Sequence, residues 1–467
     1  MERDLERLAS REYDLAVVGG GIMGASIAHD AALRGMSVAL VDKSDFAGAT
    51  TAASSKLIHG GLRYLQNLEF GIVRESLRER RIWSNVAPHL VDSLAFLTPM
   101  YDKKSRVKMA IGLRAYDWLA FDRKKLDDPE KILPAHKHLS RAEALDREPG
   151  LAAENLTGAM IFYDYQMYSP ERIALACIQS AVELGAEVAN YVEATGFILE
   201  DGCIRGIRAR DVAVNAGGEE FEIRARLTVN ATGPWADLLL ARRPDAGSPP
   251  RLLRSKGIHL VTRSISKNAI AVPSRGSHFF ILPWRGHSIL GTTDTAYMGD
   301  PDDVCATERD IVDFLAAINE GYPPAKLVRG DVVFFYAGLR PLVDTSEAVE
   351  AVGSLEAKET YTVSRASEIF DHEKEEKLPG MLTVIGGKWT TSRHLAEKTV
   401  DLIAAKLDVP KHVCVTATSP VYGGDTGPFA DFLKQAVADH PSIPAEIVEN
   451  LARNYGSHYP EVLQYVR

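Results

Sequence analysis

Three features of the sequence predict an α/β protein that combines a Rossmann-like dinucleotide-binding unit with an antiparallel sheet. First, Tyr13 to Val18 is a short apolar run entering Gly19-Gly20-Gly21-Ile22-Met23-Gly24; a helical pattern follows (Ile22, Ala25, Ile27, Ala28, Ala31, Ala32), and Ser37 to Val41 closes on Asp42. Second, Leu227 to Asn230 runs into Ala231-Thr232-Gly233-Pro234-Trp235, and Met381 to Ile385 runs into Gly386-Gly387-Lys388-Trp389-Thr390-Thr391. Third, Ala95 to Tyr101, Gly257 to Thr262, Ser277 to Trp284, His287 to Thr292 and Asp331 to Tyr336 are β-type runs, and Arg285-Gly286 makes a hairpin-like link between two of them. Strands in succession without intervening helices point to an antiparallel sheet, a plausible wall for a substrate pocket.

In the first unit each part has a mechanical reason. Gly19 permits the tight turn, Gly21 lets backbone approach a pyrophosphate, Gly24 lets helix meet strand, and the helix N-terminus favours negative charge. Asp42 can accept hydrogen bonds from ribose hydroxyls. A glycine-rich turn in an ordinary βα unit is the bland alternative, but strand, helix, strand and terminal acid together favour a dinucleotide. Nicotinamide and flavin enzymes share this unit, so it leaves open which one.

Soon after comes Ser54-Ser55-Lys56-Leu57-Ile58-His59-Gly60-Gly61-Leu62-Arg63-Tyr64-Leu65, which puts a cation, an imidazole and a glycine pair into one turn. Gly60 and Gly61 leave backbone accessible, His59 can donate, accept or carry charge, Arg63 offers a planar fork for a carboxylate or phosphate, and Tyr64 adds a hydroxyl. Such a turn suits an anion held against a flat ring. The structural alternative is a glycine turn with Arg63 solvated.

Composition narrows the class. The 467 residues suggest two or three domains, and a net charge of -9 without a long basic run argues against nucleic acid. The four cysteines, Cys177, Cys203, Cys305 and Cys414, are far apart and form no C-x-x-C, which argues against a disulfide framework, a zinc knuckle or an iron-sulfur site and makes a reducing cytoplasm the default; no metal is expected. The first ten residues are no secretory signal, and the uncharged run Leu15 to Ala28, 14 residues, is too short to cross a bilayer. Residues 101 to 126 carry eight Lys or Arg against three Asp around an apolar helical stretch. That stretch could lie on an anionic membrane, but its apolar face is wide enough for core packing, and core packing is the favoured expectation. After Pro420 a Gly and Pro containing linker precedes helices near 429 to 439 and 444 to 455.

The ordered set G-x-G-x-x-G, SSKLIHGGLRYL, ATGPW, GTTD at 291 to 294, GLRPL at 338 to 342 and GGKWTT resembles the FAD-dependent glycerol-3-phosphate dehydrogenases over residues 13 to 395. The resemblance implies FAD, sn-glycerol 3-phosphate as substrate, dihydroxyacetone phosphate as product and a respiratory quinone as acceptor. It implies an FAD-binding domain from 1–92, 150–255 and 376–415, a substrate domain from 93–149 and 256–375, and a helical C-terminal region, 416–467. That region usually continues further in the family, so a truncated chain is the expectation. The family usually has Glu where this chain has Asp42. A cytoplasmic location is implied, with peripheral contact at the inner face of the membrane and a homodimer both left open. Cofactor contacts are expected from Gly19, Gly21, Gly24, Asp42, Ser54, Ser55, Gly60, Gly61, Thr232, Gly233, Gly386, Gly387, Lys388 and Thr390.

Oxidising a secondary alcohol on a flavin needs a base for the hydroxyl proton and, here, cations for a phosphate. The candidate cations are Arg63, Arg340, Arg365 and Lys388; for each arginine taken singly a solvated surface charge is the alternative, and Arg340 is the strongest exception, since it sits between apolar runs where a solvated charge is less natural. Tyr64 is a further substrate contact. His259, in Lys256-Gly257-Ile258-His259, is the first choice of base by resemblance to a family K-G-x-H context, and His59 is second. Lys388 could also stabilise an anionic reduced flavin, with Thr292, Asp294 and Thr390 as hydrogen-bonding neighbours. Three other readings stand beside this one: an oxidase of the same substrate using oxygen, a flavin amine or 2-hydroxy-acid oxidoreductase in which Arg63 or Arg340 clamps a carboxylate, and a non-catalytic FAD-binding protein.

Overall fold

The computed structural model describes residues 1–213, 218–244, 252–274, 277–342, 368–410 and 412–466. Among these, a first sheet of eight strands runs Glu368–Asp371, Met381–Ile385, Glu220–Asn230, Glu12–Val18, Val38–Val41, Glu187–Ala189, with Cys203–Asp211 and Val192–Glu200 joined antiparallel beside Glu220–Asn230. Its central strands are parallel, Leu15 facing Leu227 on one side and Val38 on the other. Parallel strands buried on both faces read as continuous apolar runs, as Val38–Val41 and Met381–Ile385 do. The helix Ile22–Leu33 is buried at every position from Ile22 to Ala32. It packs against the helices Pro170–Glu183 and Ser392–Leu407. Gly24 makes the approach of helix to strand end feasible, because a Cβ there would lie 1.8 Å from the Gly19 carbonyl oxygen.

A second sheet of ten strands runs Thr295–Tyr297, Leu253–Arg263, His287–Gly291, Ser277–Trp284, Ala269–Ser274, Val91–Met100, Gly158–Met167, Leu57–Ile58, with Val332–Leu342 on the other edge of Leu253–Arg263 and Lys137–Leu139 beside Gly158–Met167. It is antiparallel except where Ala269–Ser274 lies parallel to Val91–Met100. Three strands change sides relative to the sequence reading, the first being Leu57–Ile58, expected within 1–92 of the dinucleotide part but found in the second sheet. Gly158–Met167, expected within the dinucleotide part, pairs with Val91–Met100 and Leu57–Ile58 in the second sheet, and Glu368–Asp371, expected in the substrate part, pairs with Met381–Ile385 in the first. Local alternation identifies a strand but not its partner, which long-range register decides.

The basic stretch also departs from expectation. It forms the helix Lys103–Leu119, which buries Leu113, Tyr116 and Leu119 but leaves Val107 60%, Ile111 64% and Trp118 76% exposed, with Phe121 73% exposed just beyond. At 100° per residue these are two apolar stripes on opposite faces, and the core covers one of them. Lys104, Lys108 and Arg114 are exposed beside the outer stripe. No helix of the described residues is long and apolar enough to cross a membrane. The helices Phe429–Asp439 and Ala445–Tyr455 pack together around Ala436, Val448 and Ala452.

Candidate active site

One cavity of about 1310 Å³ runs from the ends of the parallel strands to the face of the second sheet. At the first end, Gly19 turns with φ +104°, and a Cβ on it would meet the Ala231 carbonyl oxygen at 2.7 Å. Gly21 caps the helix Ile22–Leu33, whose first amide, at Ile22, donates to Thr51 Oγ1 at 3.0 Å. Asp42 Oδ2 accepts the Gly20 N–H at 2.7 Å, and its Oδ1 accepts the Ser44 N–H at 2.8 Å and the Ser44 hydroxyl at 3.0 Å. Burial raises the Asp42 pKa. Oδ2 retains capacity for a second hydrogen bond. A glycine cradle against a helix N-terminus, with a buried acid at the end of the next strand, fits the pyrophosphate and ribose of a dinucleotide. Thr232, Gly233, Gly386 and Gly387 line the same space.

The turn bearing His59 forms the middle of the cavity. The chain leaves the short strand Leu57–Ile58, passes Gly61 at φ +72°, and winds into the 3-10 helix Leu62–Asn67. The His59 N–H donates to Thr390 Oγ1 at 3.2 Å, tying this turn to the Gly386-Gly387 loop. Ser54, Ser55, His59, Gly61, Arg63 and Tyr64 all line the cavity. Lys388 Nζ stands 3.7 Å from the Tyr64 ring centroid, and the Arg63 guanidinium carbon lies 5.2 Å from the same ring.

The second sheet supplies the far wall. Antiparallel register sets Ser255 opposite Arg340, Gly257 opposite Gly338 and His259 opposite Tyr336, so period-2 alternation turns these residues to one face. Arg340 donates to Thr292 Oγ1 at 2.9 Å, the Thr293 carbonyl at 3.2 Å and Ser255 Oγ at 3.2 Å, with Asp294 Oδ1 at 3.9 Å. Gly257 leaves the space that the guanidinium crosses, since a Cβ there would meet Arg340 Nη2 at 2.3 Å. His259 stacks on Tyr336 with centroids 4.9 Å apart, and its Nε2 is 2.9 Å from Ser55 Oγ. Burial, with Arg340 and Lys56 nearby, pushes the His259 imidazole down to about 3.

The sequence-derived residues therefore converge, with three exceptions. Gly24 serves packing of helix on strand, and Gly60 faces Tyr116 and Leu77 instead of the cavity, because a Cβ on it would meet their side chains at 2.3 and 2.4 Å. Arg365 lies outside the described residues.

Comparison with known proteins accords with this geometry. Residues 14–393 match the family model for FAD dependent oxidoreductases. A glycerol-3-phosphate dehydrogenase from Synechocystis sp. is 34% identical over 99% of this chain and 83% of its own length. The chain belongs to the FAD-dependent glycerol-3-phosphate dehydrogenase family. An alpha-glycerophosphate oxidase from Streptococcus pneumoniae is similar at 31% identity, over 99% of this chain and 83% of that protein. Among solved structures, the glycerol-3-phosphate dehydrogenase from Bacillus halodurans complexed with FAD superposes with a TM-score of 0.77 at 31% identity, covering 98% of this chain and 79% of that one. As a member of this family the chain is an oxidoreductase that acts on a small molecule and needs an electron acceptor. Among the described residues, no group of three or more His, Cys, Asp or Glu is arranged to hold a metal ion.

Sequence reasoning missed Thr51, Tyr336 and Asp164. Thr51 lies in a run of Ala, Gly and Thr that carries no motif. Tyr336 reads as one more aromatic in a strand. Asp164 did leave a signal, a lone carboxylate within Ile161-Phe162-Tyr163-Asp164-Tyr165.

Proposed function

We propose that this chain oxidises sn-glycerol 3-phosphate to dihydroxyacetone phosphate and that the electrons pass to a quinone. One observation carries the reading: the dinucleotide cradle and the cations Arg63, Arg340 and Lys388 line the same cavity. When bound, FAD supplies the acceptor for the hydride that leaves the carbinol carbon. Gly19, Gly21, Asp42, Thr232 and Gly386 would hold it. A phosphate near charge -2 taken out of water needs several cations around it. Arg340, fixed by Thr292, Thr293 and Ser255, has little freedom left to lose on binding it. Lys388 and Arg63 line the same cavity beside the Tyr64 ring.

For the hydroxyl proton the order of the two histidines reverses. His259 is stacked and buried, and with a pKa of about 3 its neutral ring is a weak proton acceptor. His59, on the turn that lines the cavity, is the better base. As the C–H hydride leaves, the O–H proton passes to His59 and the carbon–oxygen bond becomes the ketone. His259 then orients Ser55.

The acceptor reading is supported by the helix Lys103–Leu119. Its exposed Val107, Ile111 and Trp118, with Lys104, Lys108 and Arg114, suit peripheral contact with an anionic bilayer, where quinone resides. Sedimentation with anionic vesicles should fall when Val107 and Trp118 are both changed to Ser, and binding that is absent or unaltered would remove this surface from the reading. Oxygen consumption matching quinone reduction would favour the oxidase instead. The substrate is tested by anaerobic titration of the yellow protein with sn-glycerol 3-phosphate, with glycine, proline and lactate as controls. Bleaching by glycerol 3-phosphate alone is expected, and bleaching by an amino or hydroxy acid in its place would overturn the assignment.

A further inference from the structure

Behind the His59 turn lies a buried charge cluster that the chemistry above does not use. Asp164, Arg80 and Tyr116 are 3%, 4% and 2% exposed and come from the strand Gly158–Met167 and the helices Phe70–Val86 and Lys103–Leu119. The Tyr116 hydroxyl donates to Asp164 at 2.8 Å and Arg80 pairs with the same carboxylate, while Arg80 Nη1 also donates to the Tyr163 carbonyl at 2.9 Å. The same Asp164 Oδ1 accepts the Gly60 N–H at 3.0 Å.

The position in the sheet gives this contact its meaning. Leu57 pairs with Gln166 and Ile58 with Tyr165, and there the ladder stops. One step on, Asp164 offers its side chain to the Gly60 amide, so the chain leaves the sheet at a fixed point and direction. On the other side of the turn, Thr390 holds the His59 amide. Gly60 fits against Tyr116 only without a side chain. Asp164 itself reaches the cavity wall.

We propose that Asp164 is a positioning residue for the oxidation: its carboxylate anchors the Gly60 amide and thereby aims the adjacent His59 into the cavity. The inference rests on the function proposed above. It predicts that loss of the anchor slows the hydride and proton step while leaving substrate affinity nearly intact, since Arg340 and Lys388 stand on other elements. A buried pair is broken least harmfully by replacing both partners with apolar groups of similar volume. The first variant is therefore Arg80→Met with Asp164→Leu, and the second is Tyr116→Phe, which removes one donor to Asp164 at almost constant volume.

Single-turnover bleaching by glycerol 3-phosphate is followed with FAD content and melting temperature. The double variant is expected to keep its FAD, to lose at least about 10-fold in the reduction rate, and to shift the apparent substrate affinity by less than about 3-fold. Tyr116→Phe should lose a few-fold in rate. Wild-type rates in the double variant, or rate and affinity falling in step with FAD content, would overturn the proposal. Should the double variant not fold, Tyr116→Phe decides: an unchanged rate overturns the proposal and a slower rate at unchanged affinity supports it. Hydrogen exchange of the peptide spanning Gly60 separates this inference from the substrate assignment. If glycerol 3-phosphate fails to bleach even the wild type, the functional reading falls, while faster exchange at Gly60 in either variant still supports the anchor and unchanged exchange in both refutes it.

Discussion

Gly257→Ala is the substitution whose effect follows most directly from the packing around Arg340. A Cβ at this position would sit 2.3 Å from Arg340 Nη2 and 2.5 Å from Thr292 Oγ1. Ordinary contact lies near 3.5 Å, so the guanidinium must retreat by about 1 Å. Nη2 is the end of a flexible side chain, and Gly257 lies within an extended strand, so the fold accommodates the methyl group. The cost falls on the site, because the retreat breaks the Arg340 bond to Thr292 and misaligns the cation meant for phosphate. Charge-assisted hydrogen bonds are worth about 1.5–3 kcal/mol, which corresponds to roughly 10- to 150-fold in kcat/KM. The assay is steady-state and anaerobic reduction by glycerol 3-phosphate, with melting temperature and FAD content as controls. A strong rise in KM with FAD retained is expected, and Arg340→Ala sets its upper bound. Wild-type kinetics in Gly257→Ala would show that the Arg340 position is irrelevant to substrate and would refute the phosphate clamp.

Other substitutions probe the cradle and the core. Asp42→Ala strips the Gly20 and Ser44 amides of their acceptor; FAD affinity measured on reconstituted apoprotein should fall by about 10-fold or more. Gly24→Ala drives a methyl group into backbone at the Gly19 oxygen, and should yield protein that is poorly soluble or lacks FAD by absorbance. Acid stability reports on the buried imidazoles. Burial holds His29 down to about 4 and, with Arg172 and Lys131 nearby, His89 down to about 3, against an ordinary value of 6.5. Below pH 6.5 the unfolded chain takes up protons that the folded chain refuses, so these groups lower stability as pH falls toward their folded values. Urea denaturation of His89→Leu should show a pH slope shallower by about 1.4 kcal/mol per pH unit in that window, and a slope equal to wild type would remove His89 from the account.

The sequence by itself determined the parts that depend on neighbours along the chain. Glycine spacing at 19–24, the apolar strand before it and Asp42 after it are local requirements of one βαβ unit, and they remain legible however the rest folds. The motifs whose cations Arg63, Arg340 and Lys388 line one cavity were legible for the same reason, because each is a short run of glycines and strand residues along the chain. What only the tertiary structure decided depends on pairings between distant residues. The strand Gly158–Met167 joined the second sheet because Val91–Met100 offered it a complementary register. The two stripes of Lys103–Leu119 looked alike in sequence, and the body of the protein covered just one of them. His259 matched its motif, yet burial with Arg340 and Lys56 nearby lowers its pKa, while Asp164, with no motif at all, accepts the Gly60 amide in the turn of His59. Burial and charge neighbours belong to the assembled fold, and they, more than residue type, set the protonation and aim of these side chains.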